Sequence, residues 1–130
     1  MLCLRTDKIG DLAIVECKGT IVCSEAALKL RRAVTTHRDA RIVVVDLSQV
    51  VDLGARGVSV LMILQKWAHD QDVQLKLFNP SLSARHWLKQ SSAISEFNII
   101  PLGEVMALLS EADHRNATPD DRQATVYSAA

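Results

Sequence analysis

Apolar and polar residues alternate at the start of the chain and then recur at helical spacing. Residues 2–8 and 11–18 alternate on either side of the turn Lys8-Ile9-Gly10-Asp11, which predicts an antiparallel hairpin with one covered face. Residues 25–37 carry apolar positions one helical turn apart, with Ser24 placed to cap that helix. The run Ile42-Val43-Val44-Val45 is uninterrupted and β-branched, as is typical of a strand buried on both faces.

The second half of the chain repeats the order of strand and helix. A long apolar helix is predicted from about residue 56 to residue 69, followed by an alternating, partly solvated strand over residues 73–77. Residues 81–90 form the next predicted helix, entered through Pro80 or Ser81. The short apolar run 97–100 predicts an edge strand, and residues 104–112 predict a last helix.

The predicted order is β-β-α-β-α-β-α-(β)-α. Strand–helix–strand units need parallel neighbours and right-handed crossovers, so the fold class is α/β, with a mixed four- to five-stranded sheet and helices packed on it. The length of 130 residues and the 48% hydrophobic content suit one domain. We assign residues 1–111 to that domain and predict that residues 112–130, which are polar and lack periodicity, form a flexible tail.

Charge and hydropathy limit the classes of partner. Fifteen basic residues balance fifteen acidic ones, so no global field attracts nucleic acid or an anionic membrane. The local basic cluster is interpreted as a solvated helix face; it comprises Lys29, Arg31, Arg32, Arg38 and Arg41. No apolar run reaches the roughly 18 residues that span a bilayer, and the N-terminus lacks a signal-peptide core. We therefore expect a cytoplasmic protein without a membrane or nucleic-acid partner.

No catalytic or metal-binding constellation emerges from the reactive residues. Cys3, Cys17 and Cys23 lack the CxxC spacing of a zinc site, and the four histidines are scattered. We expect buried thiols, with Cys3 and Cys17 facing each other across the hairpin. The sequence predicts no enzyme activity, no metal and no cofactor.

The junction after the central strand is the predicted functional edge. A polar turn is expected at residues 46–49, followed by the glycine-containing connection 52–57 and then the long helix. Exposed side chains and backbone N–H groups gather at the carboxyl end of a buried strand. Gly54-Ala55-Arg56-Gly57 lacks the Gly-Lys-Ser/Thr ending of a phosphate loop, which favours a plain tight turn, although a small-ligand or nucleotide site stays open as an alternative.

This junction also carries a family resemblance. The run VVVDLSQV, followed by Gly57 and VSVLMIL, resembles the STAS domain of bacterial anti-sigma factor antagonists, in which a strand ending Asp-Leu-Ser leads into an Asp-Ser-Ser-Gly turn and an apolar helix. The hairpin ending Cys17-Lys18-Gly19, the strand QLKLFNPS and the closing segment WLKQSSAISEFNIIPLGEVMALL extend the similarity over about residues 5 to 110. The resemblance implies a STAS-like fold and a non-catalytic role in transcription regulation. Family members bind an anti-sigma factor, often a serine kinase, which phosphorylates the second serine of the turn.

The phosphorylation motif is not retained. With Asp46-Leu47-Ser48 and Gly57 aligned, the family's aspartate falls on Gly54, its first serine on Ala55 and its phosphorylated serine on Arg56. The resemblance therefore implies an anti-sigma factor or serine-kinase-type regulator as partner, without control by phosphorylation at the usual position. Arg56 is expected to favour an acidic patch on that partner, or to pair with Asp52.

The partner surface is expected around the same junction. On the long helix, Val58 and Met62 fall toward the wetter side and are either covered by neighbouring elements or exposed as an apolar patch. The second option leaves a self-associating scaffold module, working as a homodimer, as an alternative function. The predicted core face of this helix is Val60, Leu61, Ile63, Leu64 and Trp67. The predicted partner-binding residues are Thr20, Ser24, Asp52, Gly54, Ala55, Arg56, Val58 and Met62.

Overall fold

Five strands lie side by side in the order in which the chain forms them. The computed structural model describes residues 2–91 and 94–116. The hairpin strands are antiparallel, and every later pairing is parallel, so the predicted mixed α/β sheet is confirmed. The elements are β1 (Leu2–Ile9), β2 (Leu12–Thr20), α1 (Ser24–Thr35), β3 (Ile42–Asp52), α2 (Gly54–Asp70), β4 (Gln74–Phe78), α3 (Leu82–Gln90), a 3-10 turn (Ile94–Glu96), β5 (Ile99–Ile100) and α4 (Leu102–Asn116).

The sheet separates two apolar cores. The larger core joins one face of the sheet to α1, α2 and α3, and the smaller core joins the other face to α4. Strand β3 contributes to both, because Val43 and Val45 belong to the larger core while Ile42 and Val44 belong to the smaller one. The prediction that this run is buried on both faces is confirmed. Among the described helices, none offers an apolar stretch long enough to cross a bilayer.

The predicted turn at residues 46–49 is wrong, because β3 continues to Asp52. The polar residues of the predicted turn are part of this strand. The Asp46 carboxylate accepts a hydrogen bond from the Ser48 backbone N–H at 2.9 Å. Leu47 and Val50 are buried in the larger core. The pairing with β2 shifts register here, which is the mark of a β-bulge. The junction is therefore strand up to Asp52, and Leu53 alone separates the end of β3 from the start of α2.

The face of the sheet that packs against α4 is more buried than the alternation in β4 predicts. Lys76, expected on a wet face, is buried, and its ammonium group lies 3.4 Å from the Glu104 carboxylate. Helix α4 covers this side and continues to Asn116, past the boundary predicted at residue 111. The remainder of the predicted tail, residues 117–130, lies outside the described residues.

Only one of the three thiols is buried. Cys17 lies in the larger core, whereas Cys3 and Cys23 are exposed. In the hairpin register Cys17 is opposite Leu4, and Cys3 is opposite Lys18. Because neighbouring residues of a strand point to opposite faces, the prediction that Cys3 and Cys17 face each other is wrong.

The buried thiol should make the fold sensitive to alkaline pH. Burial, and then the nearby Asp46 carboxylate, raise the pKa of Cys17 from 9.0 to about 12. The unfolded chain loses this proton first, so the stabilisation is complete below about pH 9 and is lost as the pH rises toward about 12. Between about pH 8 and pH 10.5, urea unfolding should show about 2 kcal/mol more loss of stability in the wild type than in Cys17→Ala.

Cys3→Ala is the matched control for this measurement, since the Cys3 thiol is exposed. It should keep the pH dependence of the wild type. Equal slopes in the wild type and Cys17→Ala would contradict the assignment.

Candidate functional site

Two glycines shape the start of α2. Gly54, its first residue, is buried and has a positive φ of 67°, a conformation that glycine adopts without strain. A Cβ atom at Gly54 would lie 3.0 Å from the Cγ1 atom of Val22. A Cβ atom at Gly57 would lie 2.6 Å from the Cδ1 atom of Leu53 and 3.3 Å from the carbonyl oxygen of Ile21. Both glycines therefore let the first turn of α2 pack against the segment that follows β2.

This packing argues against the phosphate-loop alternative. The glycines lie in the helix, which begins at Gly54 rather than near residue 56. The strand order repeats the chain order, so the parallel part of the sheet has no reversal point at which open α/β sheets form a ligand crevice. Among the described residues, no group of three or more His, Cys, Asp or Glu side chains could hold a metal.

Arg56 bridges the N-terminal ends of two helices. Its guanidinium Nη1 donates a hydrogen bond to the Ser24 hydroxyl at 2.5 Å. The predicted capping role of Ser24 is wrong: Cys23 is the capping residue of α1, without a side-chain cap, and Ser24 is already helical. Arg56 is exposed, so its positive charge faces solvent at this edge.

Asp52, the last residue of β3, links this edge to α3 and to the segment that follows β2. Its carboxylate accepts a hydrogen bond from the Trp87 indole N–H at 2.9 Å, and its backbone carbonyl accepts one from the Ile21 N–H at 2.9 Å. Thr20 lies opposite Asp52 in the sheet register. Of the ion pairs among the described residues, none joins Arg56 to Asp52, so the alternative in which these two residues pair is not observed. Trp87, which the sequence interpretation missed, ties α3 to the end of β3.

The apolar residues of α2 agree with the prediction in part. Val58 is only 8% exposed and belongs to the larger core, so the alternative in which it is covered is the one observed. It cannot contribute to an exposed partner surface. Met62 is 42% exposed, and Ile63, predicted to be in the core, is 46% exposed. Val60, Leu61 and Leu64 are buried, as predicted. The buried face also includes Gly57 and Ala68, which the prediction left out.

The predicted partner-binding residues therefore divide into three groups. Ser24, Ala55, Arg56 and Met62 are exposed. Thr20 and Asp52 are half-buried at the strand ends. Gly54 and Val58 are buried.

The sequence matches the family model of the STAS domain over residues 4–103. The chain belongs to the STAS domain family. The matched segment contains the whole edge from Thr20 to Met62. Solved structures of low sequence identity share the fold. An anti-sigma factor antagonist from Mycobacterium paratuberculosis has a TM-score of 0.68 at 16% identity, with 85% of this chain and 95% of that chain covered.

A second similar structure is the anti-sigma factor antagonist SpoIIAA in its unphosphorylated form. Its TM-score is 0.66 at 12% identity, with 85% of this chain and 97% of that chain covered. The phosphorylated form of SpoIIAA, from Bacillus, has a TM-score of 0.63 at 12% identity, with 82% and 99% covered. Among curated proteins, none matches the sequence.

Proposed function

We propose that this STAS domain binds an anti-sigma factor, or a related serine-kinase-type regulator, and that phosphorylation at position 56 does not control the binding. Two of the similar structures are described as anti-sigma factor antagonists, and one of these proteins, SpoIIAA, is known in phosphorylated and unphosphorylated forms. The proposed partner class implies a bacterial cytoplasmic protein that acts by association and not by catalysis.

The observation that carries the proposal is the exposed Arg56 in the first turn of α2. A phosphoserine at a helix N-terminus would bring a charge of about −1.5 to −2, which the helix dipole tolerates. Arginine cannot be phosphorylated by a serine kinase, and its guanidinium stays positive throughout the physiological pH range. Gly54 and Ala55, which precede it, also lack a hydroxyl group. The edge therefore presents a fixed positive charge where a switchable negative one would lie.

Mass spectrometry after incubation with a serine kinase of the anti-sigma type tests the missing switch. The wild type should gain no phosphate on residues 52–59, whereas Arg56→Ser should gain one, because it places a hydroxyl at the exposed position. A phosphate on this segment of the wild type would overturn the proposal.

Binding of the regulator should depend on the charge at position 56. The partner is first captured from the native cell extract and identified by mass spectrometry as an anti-sigma factor or serine-kinase-type regulator. In calorimetry with that purified regulator, Arg56→Asp should weaken binding about ten-fold or more, since it places like charge against an acidic surface. Arg85→Asp makes the same change on the exposed face of α3 and should alter the affinity by less than about two-fold. Equal affinities of wild type and Arg56→Asp would remove Arg56 from the interface.

A further inference from the structure

A groove of about 360 Å³ lies between α1 and α2. Leu28 of α1 and Ile63 of α2 both line it, and they are 45% and 46% exposed. Arg31 and Arg56 line the same groove, together with smaller residues of the two helices. Exposed aliphatic side chains flanked by cations form an amphipathic surface rather than an ordinary solvated helix face.

The basic character continues along α1. Arg31 also borders a second depression, which lies next to the first. Helix α1, from Ser24 to Thr35, is about 17 Å long, or about three helical turns. The residues that line the second depression are Arg31, Arg32, Thr35, Thr36, Arg38 and Trp67.

These arginines are not neutralised within the part of the chain that the structure describes. None of the ion pairs there involves Arg31, Arg32, Arg38 or Arg56, and no Asp or Glu is among the described residues that line either depression. The hydroxyl of Ser24, to which Arg56 donates, is uncharged. Two apolar side chains in a groove therefore lie within a local excess of positive charge, on a chain whose formal net charge is zero.

We infer that the groove between α1 and α2 binds an acidic amphipathic helix of the partner protein. A helix laid along the groove would place apolar residues one turn apart against Leu28 and Ile63 and acidic residues beside Arg31 and Arg56. The aliphatic lining favours such a helix over nucleic acid, which would use the arginines but gain nothing from Leu28 and Ile63. This inference rests on the proposed function for the identity of the partner, and on the groove for its chemistry.

A designed peptide tests the chemistry of the groove directly. The probe is a fluorescein-labelled peptide of about 16 residues, with leucines spaced one helical turn apart and glutamates on both flanks. Fluorescence anisotropy with the full chain should show saturable binding that weakens about ten-fold between about 50 mM and 500 mM salt. A control peptide with the same leucines and lysines in place of the glutamates should not bind measurably.

Surface variants assign the binding to the groove. Arg31→Glu should weaken peptide binding about ten-fold, and Ile63→Ser several-fold, while Arg85→Glu should change it by less than about two-fold. Because Arg31, Ile63 and Arg85 are exposed, far-UV circular dichroism should show that all three variants are folded. Absence of peptide binding, equal binding of the lysine peptide, or unchanged binding by Arg31→Glu and Ile63→Ser would each overturn the inference.

Other ligands of the groove would give different results, and each of these results would also overturn the inference. A DNA duplex of about 16 base pairs that displaces the peptide, and depends on Arg31 in the same way, would indicate a nucleic-acid groove. In the full chain, tighter peptide binding after Asp120→Asn with Asp121→Asn would indicate that the chain's own acidic segment is the occupant. A dimer in light scattering that Ile63→Ser dissociates would indicate a second copy.

Binding of the anti-sigma regulator, measured beside binding of the peptide, distinguishes failure of this inference from failure of the proposed function. If Arg31→Glu loses the peptide but binds the regulator as the wild type does, the partner docks elsewhere and only the inference fails. If the peptide binds through the groove but no anti-sigma regulator binds the wild type, the proposed function fails.

Discussion

Replacing Leu61 by alanine should lower the free energy of unfolding by about 2–5 kcal/mol. The Leu61 side chain is fully buried in the larger core, between the sheet and the neighbouring helices. Its removal loses the transfer free energy of the deleted atoms and leaves a cavity that the packed surroundings fill only in part. Urea denaturation followed by far-UV circular dichroism measures the change.

Ile63→Ala is the matched control, because it removes a similar side chain two positions along the same helix. Ile63 is 46% exposed, and alanine has a higher helix propensity than isoleucine, so the loss should stay below about 1 kcal/mol. Equal losses from the two variants would contradict the orientation of α2 described above.

Replacing Gly57 by alanine should destabilise the domain by about 1–3 kcal/mol, although it puts a better helix former into α2. The new Cβ atom would lie 2.6 Å from the Cδ1 atom and 2.7 Å from the Cγ atom of Leu53. Leu53 is fully buried, so its side chain has little room to move away. The strain from this overlap should outweigh the helix propensity gain of about 1 kcal/mol.

Gly103→Ala, measured in the same way, is the control and should not lower the free energy of unfolding. Gly103 is also in the first turns of a helix, but a Cβ atom there would meet nothing within 4 Å. Stability should therefore stay the same or rise by up to about 1 kcal/mol. If Gly57→Ala raised the free energy of unfolding as much as Gly103→Ala, the contact with Leu53 would not restrict the side chain at position 57.

The order and type of the elements could be predicted because local chemistry and the global fold agree. The β-branched run at residues 42–45 is buried on both faces, the turn at Gly10-Asp11 joins the hairpin, and Ser81 caps α3 by accepting a hydrogen bond from the Ala84 N–H. Each of these signals depends on a few neighbouring residues. Together with right-handed crossovers, they leave few arrangements of the sheet.

The large apolar residues of α2 predicted only part of its buried face: Val60, Leu61 and Leu64 are buried, whereas Ile63 is exposed. Gly57 and Ala68 lie on the buried stripe, where small side chains bring the helix close to its neighbours, and a count of bulky residues gives them no weight. The predicted face therefore extended to Ile63. For Val58 the sequence left a covered and an exposed position open, and the residue is buried. Which face of a helix is buried depends on how near its neighbours approach, and that is a property of the assembled domain.

The contacts at the candidate edge could not be predicted from the sequence. The predicted loop is the first turn of α2 in the structure. Ser24, the predicted cap, instead accepts a hydrogen bond from Arg56. The two residues are 32 positions apart in sequence, so no local pattern connects them. The same holds for Trp87 and Asp52, which are 35 positions apart. An apolar residue on a basic helix face, Leu28, was the one local signal of the groove.

The agreement between strand order in the sheet and strand order in the chain bears on synthesis. Each strand after β1 pairs with the strand made just before it, so no strand edge waits for a partner that is translated much later. The strands therefore become available for pairing in the order of the chain, and the crossover helices cover one face of the sheet before α4 covers the other. Unpaired strand edges are a main route to aggregation, and this topology keeps a single growing edge exposed during translation.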